Sequence, residues 1–381
     1  MIAKVADIGV THVKCTPVEV TLTWENSAYS VYPAIWLRDN DPANRDPRTG
    51  QRLISLLDFP REPRLRGAEA QPPGQLTLSW EDGPTSVFDL AWLRAFDRSL
   101  RMSHRPARLP WMGHPATAFA RCDFVEWIKN PASREDWLYY VGRDGLAFLS
   151  DVPVEDGAIL RVADLIGFVR ETNYGYLFDV RSVPEPNNLA YTSRALPVHT
   201  DNPYRDPVPG FQMLHCLASA GEGGESIFVD GLAIAERIRA GDSDNFNALS
   251  QTPVLFRFQD AVADLTAERT MIELDARGEF RAIYYNDRSI APLPFKGPRL
   301  KKYYLAYRQL AEMVREPDRL VVCRLEPGDL VLFDNTRILH GRTAFSSGAQ
   351  HLQGCYLDAD GLYSSLAILA RKRNAEHDGR H

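Results

Sequence analysis

His199 and Asp201 stand two residues apart in LPVHTDNP, and His340 ends the apolar run of GDLVLFDNTRILHGR. On an extended strand, residues i and i+2 face the same side, so an imidazole and a carboxylate at this spacing can reach one ion. A third donor must come from elsewhere in the chain. His340 is the best placed, because a polar ring closing an apolar strand points into an interior. Two histidines and one carboxylate on one face of an octahedron leave three positions free, an arrangement suited to Fe(II) with a bidentate cosubstrate and O2. His-x-Asp alone is weak evidence, since the pattern recurs by chance. His215 in FQMLHCL competes for the third position, but its apolar flanks read as those of a hydrogen-bonded core histidine. His12, His104, His114, His377 and His381 lie in polar or terminal surroundings.

Positioning such a triad requires strands. From about residue 117 onward, short apolar strands alternate with turns: GFQMLHCL, ESIFVDG, VLFRFQ, FRAIYYN, RLVVCRL, DLVLFDN and HLQGCYLD. Helical patterns fall at Phe124 to Ile128, Asp136 to Tyr140, Ile159 to Thr172 and Lys301 to Val314, and the charged tail ARKRNAEHDGRH reads as frayed. Strand-rich composition without a glycine-rich strand-to-helix turn predicts a mainly β fold with flanking helices, a sandwich or jelly roll. Ahead of it lies a gapless repeat, TLTWENSAYSVYPAIWLR at Thr21 to Arg38 and TLSWEDGPTSVFDLAWLR at Thr77 to Arg94. Each copy reads as a hairpin followed by an aromatic-Leu-Arg segment, which predicts a small β-rich N-terminal domain over residues 1–99. Residues 100–116, rich in Pro, Arg and His, read as a linker to a catalytic domain at 117–381.

The 381 residues are 44% hydrophobic and 25% charged, enough for a large core and two domains. A formal net charge of -6 argues against nucleic acid or an anionic membrane as partner and for a small-molecule substrate. Five cysteines without paired spacing suggest neither disulfides nor a cysteine zinc site. With no leader-like or spanning segment, the expectation is a cytoplasmic protein with no membrane association.

In order along the chain, WLRDN (Trp36 to Asn40), YLFDVRS (Tyr176 to Ser182), NNLAYTSRALPVHTDNP (Asn187 to Pro203), GGESIFVDG (Gly223 to Gly231), FDNTRILHGR (Phe333 to Arg342) and HLQGCYLD (His351 to Asp358) together resemble the γ-butyrobetaine/trimethyllysine dioxygenase branch of the taurine-dioxygenase-like superfamily. The resemblance implies a double-stranded β-helix catalytic domain, Fe(II) on His199, Asp201 and His340, 2-oxoglutarate as cosubstrate with Ser226 at its carboxylate, and a homodimer. The implied reaction couples oxidative decarboxylation of 2-oxoglutarate by O2 to hydroxylation of an unactivated C–H. Tyr174, Phe178, Tyr191 and Tyr356 fall on the family's cage for a quaternary ammonium, whose charge is attracted by ring faces. Asn188 and Asn286 fall near its acid-binding end.

Three departures shape the expectation further. Asp41, Ala43, Asp46 and Pro84 occupy the places of the family's zinc ligands, so no structural zinc is expected. Gln350 replaces the arginine expected to hold the distal carboxylate of 2-oxoglutarate, which leaves Arg337 or Arg342 to reach in, or weaker cosubstrate binding. Asn202, Tyr204, Arg205 and Arg288 add donors at the substrate's anionic end, which suits a three-oxygen anion. Accordingly 2-(trimethylammonio)ethylphosphonate is placed slightly ahead of γ-butyrobetaine, whose hydroxylation belongs to carnitine biosynthesis, and trimethyllysine comes third. A different class of reading is a non-catalytic betaine-binding relative.

Overall fold

The computed structural model describes residues 9–96, 105–181, 192–219, 221–347 and 350–378. The chain divides into two compact units, Met1–Ser103 and His104–His381.

In the first unit each copy of the repeat forms one three-stranded antiparallel sheet: Val10–Thr16, Glu19–Trp24 and Tyr29–Pro33, then Leu65–Gln71, Gln75–Trp80 and Thr85–Asp89. Short helices Ala34–Asp39 and Leu90–Ala95 follow. Strict alternation buries Val20, Leu22 and Trp24 in one copy and Leu76, Leu78 and Trp80 in the other. The copies interlock crosswise: Arg94 of the second stacks on Trp24 of the first at 4.6 Å, and Arg38 of the first on Trp80 of the second at 5.0 Å. Each indole N–H is satisfied by its own copy's serine, Trp24 to Ser30 and Trp80 to Ser86, both at 2.7 Å. Asp46 uses its carboxylate within its own loop, whereas Asp41 also reaches the second copy. Asp41 accepts from the Ser86 hydroxyl and the Ala43 amide, and Asp46 from the amides of Arg48 and Thr49.

The second unit is a jelly roll. Its six-stranded sheet runs Arg121–Asp123, Leu146–Ser150, Leu330–Asp334, Phe211–Ala218, His351–Leu357, Phe178–Arg181. The four-stranded sheet runs Leu196–His199, Ile338–Arg342, Ser226–Asp230, Val321–Cys323. Phe148, Leu214, Val331, Phe333 and Leu352 of the first meet Phe228, Val321 and Ile338 of the second in one core. Two buried faces explain why Leu330–Asp334 is a continuous apolar run rather than an alternating one. The larger sheet's other face carries Pro131–Asp144 and Ala359–Asp378. Gly231–Gly241, Ser243–Gln251 and Gly297–Met313 pack together in a second core beside the smaller sheet.

Several elements differ from the sequence expectation. The tail is helical to Asp378, tied back by Arg373 to Glu135 at 2.8 Å. The helix at Ile159 stops at Ala163, and just beyond it Gly167 backs onto Gly361 so closely that a Cβ there would lie 2.9 Å from Gly361 Cα. Within the stretch expected to be linker, Leu109 donates to the Arg143 carbonyl, and Trp111 is pinned by bonds to Asp230 and the Asp144 carbonyl. Among the described residues no helix is long and apolar enough to cross a membrane.

Candidate metal centre and active site

His199 ends its strand and is the antiparallel partner of His340, whose other strand neighbour is Phe228. Pairing across strands, rather than spacing along one, places the imidazoles side by side with centroids 4.5 Å apart. Asp201 is not on the strand. The chain bends after His199, and Asn202 takes a left-handed φ of 56°. The bend is held from outside: Asn335 accepts from the Asp201 amide at 2.7 Å and donates to the Asp201 carbonyl at 3.0 Å. Thr200 exchanges backbone and side-chain bonds with Tyr285. The carboxylate thereby reaches His199 Nε2 at 3.2 Å and His340 Nε2 at 3.7 Å. The three donors lie within 4.8 Å of one another, the one such group among the described residues.

The donor chemistry fits a divalent metal. His199 Nδ1 lies 2.9 Å from the Pro197 carbonyl, which calls for the proton on Nδ1 and leaves the Nε2 lone pair for an ion. Burial, reinforced by His199, pushes His340 down to about 3, so it is neutral at physiological pH. Burial alone would raise Asp201, but the His199 and His340 rings beside it, with help from the Tyr356 hydroxyl, hold it well below the usual carboxylate range. Tyr356 donates to Asp201 Oδ2 at 2.8 Å and fixes the carboxylate's orientation. His215 is fully buried in the strand Phe211–Ala218, outside the triad, and burial lowers its proton affinity.

The triad opens into a cavity of about 390 Å³. Three of the four expected cage aromatics, Tyr174, Phe178 and Tyr356, line it, and Phe178 and Tyr356 lie 4.9 Å apart. Tyr191 and Asn188 lie outside the described residues. Tyr204 joins the aromatic wall rather than the anionic end: its hydroxyl receives a bond from Tyr174 at 2.9 Å and donates to Asn202 Oδ1 at 2.7 Å. Its ring stacks on Phe258 at 5.2 Å, and Phe258 also meets Tyr174 edge-on at 5.9 Å. Phe258 carries no sequence signal beyond its place in the alternating strand Val254–Gln259.

Of the anionic-end candidates, Asn202, Asn286 and Arg288 line the cavity. The Asn202 side chain is buried and interacts with the Tyr356 hydroxyl. Asn286 serves the backbone, donating to the Thr200 carbonyl and accepting from the Arg288 amide. The Arg288 guanidinium makes no hydrogen bond or ion pair with a described residue. Arg205 turns away to Asn173.

The cosubstrate candidates separate sharply. Ser226 and Arg342 line the cavity. Arg337 does not: it is 0% exposed and held by Asp230 at 2.8 and 2.9 Å and by the carbonyls of Arg143 and Leu109 at 2.7 Å. Its every donor nitrogen is engaged behind the site, so Arg337 does not reach into the cavity as the sequence reading allowed. Gln350 is buried off the cavity wall, with Nε2 on the Gly224 carbonyl at 2.6 Å.

Comparison with known proteins agrees with this centre. Residues 110–356 match the family described as taurine catabolism dioxygenase TauD, TfdA family, and residues 12–94 match the gamma-butyrobetaine hydroxylase-like N-terminal family. The chain is 39% identical over 361 residues to the gamma-butyrobetaine dioxygenase of Pseudomonas sp. (strain AK-1), covering 92% of this chain and 94% of that one. It is 28% identical over 371 residues to the human gamma-butyrobetaine dioxygenase, with the same two coverages. It is also 28% identical over 353 residues to the mitochondrial trimethyllysine dioxygenase of Bos taurus, covering 88% and 82%. A cross-strand histidine pair with a tethered aspartate, in a jelly roll matched over most of its length, places this chain in the TauD/TfdA family of non-haem iron, 2-oxoglutarate-dependent dioxygenases.

Proposed function

We propose that this chain hydroxylates a small zwitterion with a trimethylammonium group at one end and an acid at the other, γ-butyrobetaine first. The observation that carries this reading is the cavity wall. Tyr174, Phe178 and Tyr356 present ring surface beside the triad, while Asp201, itself a candidate ligand, is the sole carboxylate among the described lining residues. A cation that cannot donate hydrogen bonds suits such a wall, since ring faces attract it without an acid partner. The activities named for the relatives support the carboxylate as its far end. A second reading, the phosphonate analogue, is favoured by the Arg288 guanidinium, which lines the cavity and pairs with no described residue.

Fe(II), 2-oxoglutarate and O2 together supply the oxidation that converts C–H to C–OH, with succinate and CO2 as co-products. The protein's share is positional. His199, Asp201 and His340 would hold the ion, and Tyr356 orients the carboxylate. The aromatic wall sets the substrate's cationic end and excludes water.

The test compares kcat/KM for γ-butyrobetaine, 2-(trimethylammonio)ethylphosphonate and 5,5-dimethylhexanoate, which keeps the shape of γ-butyrobetaine but replaces nitrogen by carbon. The neutral analogue is expected to fall at least about 10-fold below γ-butyrobetaine, from cation–π contacts of roughly 0.5–2 kcal/mol each. Equal rates would remove the trimethylammonium reading. Arg288→Gln separates the two acids. If the phosphonate is the substrate, its advantage over γ-butyrobetaine shrinks by about 10-fold or more, the value of a charge-assisted bond. A preference for γ-butyrobetaine that Arg288→Gln leaves unchanged favours the carboxylate.

A further inference from the structure

One buried cation in the cavity wall has no counter-charge among the described residues. Arg342 ends the strand Ile338–Arg342, two residues beyond His340 and therefore on the same face. It is 4% exposed, packs on Phe345 at 4.9 Å and lines the cavity. Nη2 is anchored to the carbonyls of Thr192 at 2.5 Å and Arg194 at 3.1 Å, while Nε and Nη1 are buried without any partner. Its neighbour across the ladder is Ser226, which also lines the cavity. A fixed guanidinium with two idle donors and no acid among the described residues around it is costly unless an anion arrives to meet it.

The anion has to be a carboxylate that reaches back to the metal. Two residues of strand span about 6.6 Å, which separates Arg342 from the ligand His340 along one cavity face. 2-Oxoglutarate has the matching form, a 2-oxo acid for the ion at one end and a second carboxylate three carbons away. Gln350 is neutral, engaged with Gly224 and outside the cavity wall. Arg337 has its nitrogens spent on Asp230 and on main-chain carbonyls.

We propose that Arg342, with the Ser226 hydroxyl beside it, binds the distal carboxylate of 2-oxoglutarate, so that the cosubstrate's anchor sits on the strand of His340 and position 350 has no charge role. The assignment rests on the chain being a 2-oxoglutarate dioxygenase and not on which zwitterion it hydroxylates. With Nη2 spent on the two carbonyls, the idle Nη1, or Nε on the guanidinium's other edge, gives the carboxylate a single charge-assisted hydrogen bond.

Calorimetric titration of the Mn(II)-loaded full chain, without the zwitterion, tests this without turnover. 2-Oxoglutarate is compared with 2-oxobutyrate, which keeps the metal-binding end and lacks the distal carboxylate. The wild type is expected to prefer 2-oxoglutarate by about 10- to 100-fold, from one or more hydrogen bonds to charged groups. In Arg342→Met that preference collapses to about one, with 2-oxobutyrate affinity unchanged as the sign of an intact metal site. Arg342→Lys should keep an intermediate preference, and Gln350→Leu the full one. A preference unaltered in Arg342→Met, or lost in Gln350→Leu instead, overturns the assignment. If the methionine variant does not fold, Arg342→Gln, which keeps a polar side chain without the charge, decides, since an undiminished preference there contradicts a charged guanidinium contact.

Discussion

Asp201→Ala is expected to abolish turnover and to weaken Fe(II) binding by more than about 100-fold, because partners that merely orient ligands are already worth about 10- to 100-fold in affinity. The carboxylate is the triad's only negative charge, and it lies between the two imidazoles at 3.2 and 3.7 Å. Its loss leaves two neutral nitrogen donors and no negative charge to offset the ion's. The fold should survive, since the Asp201 backbone is held by Asn335 independently of the side chain. Equilibrium dialysis with Fe(II) or Mn(II), alongside circular dichroism, separates the two effects. His340→Gln should behave similarly, whereas His215→Gln should leave metal affinity unchanged. Near-native metal binding by the alanine variant would remove Asp201 from the ligand set.

The second large effect is on stability. Arg337→Met is expected to cost about 3–5 kcal/mol of unfolding free energy, the range for removing one member of a buried ion pair. Asp230 would be left buried with a charge and its two short bonds to the guanidinium gone, and the carbonyls of Arg143 and Leu109 would lose their donors. Urea denaturation measures the loss, and pairing the change with Asp230→Leu should recover part of it. The protein that remains folded should bind 2-oxoglutarate as the wild type does. A loss under about 1 kcal/mol, the level of an exposed pair, would contradict the reading of Arg337 as a structural residue.

The contrast between Arg337 and Arg342 shows how much of the site was legible. Both are arginines close to His340, and charge alone does not rank them. Strand parity does, because an offset of two keeps Arg342 on the face of His340, while Arg337 lies an odd number of residues away and before the strand begins. The triad itself was readable from residue type and flanking apolar runs. The reason its parts meet was not, since the bend carrying Asp201 depends on Asn335, far away in sequence. Phe258 was invisible for the same reason. Its strand reads as ordinary core, and only tertiary packing brings it onto Tyr204.

The first unit shows the other limit. Its inner strands declare themselves by strict alternation, but Val10–Thr16 and Leu65–Gln71 have mixed exposure and lack that signal. Asp41 and Asp46, conspicuous as replacements for metal-binding residues, take up loop hydrogen bonds that no spacing rule announces.

The most direct test of the whole account is succinate formation by Fe(II)-reconstituted protein given O2 and 2-oxoglutarate, with and without γ-butyrobetaine or its phosphonate analogue. Slow release without substrate, strong stimulation by a trimethylammonium zwitterion, and one hydroxylated product per succinate are expected. Succinate release that no such zwitterion stimulates, from protein shown to hold both iron and 2-oxoglutarate, would contradict the proposed substrate class.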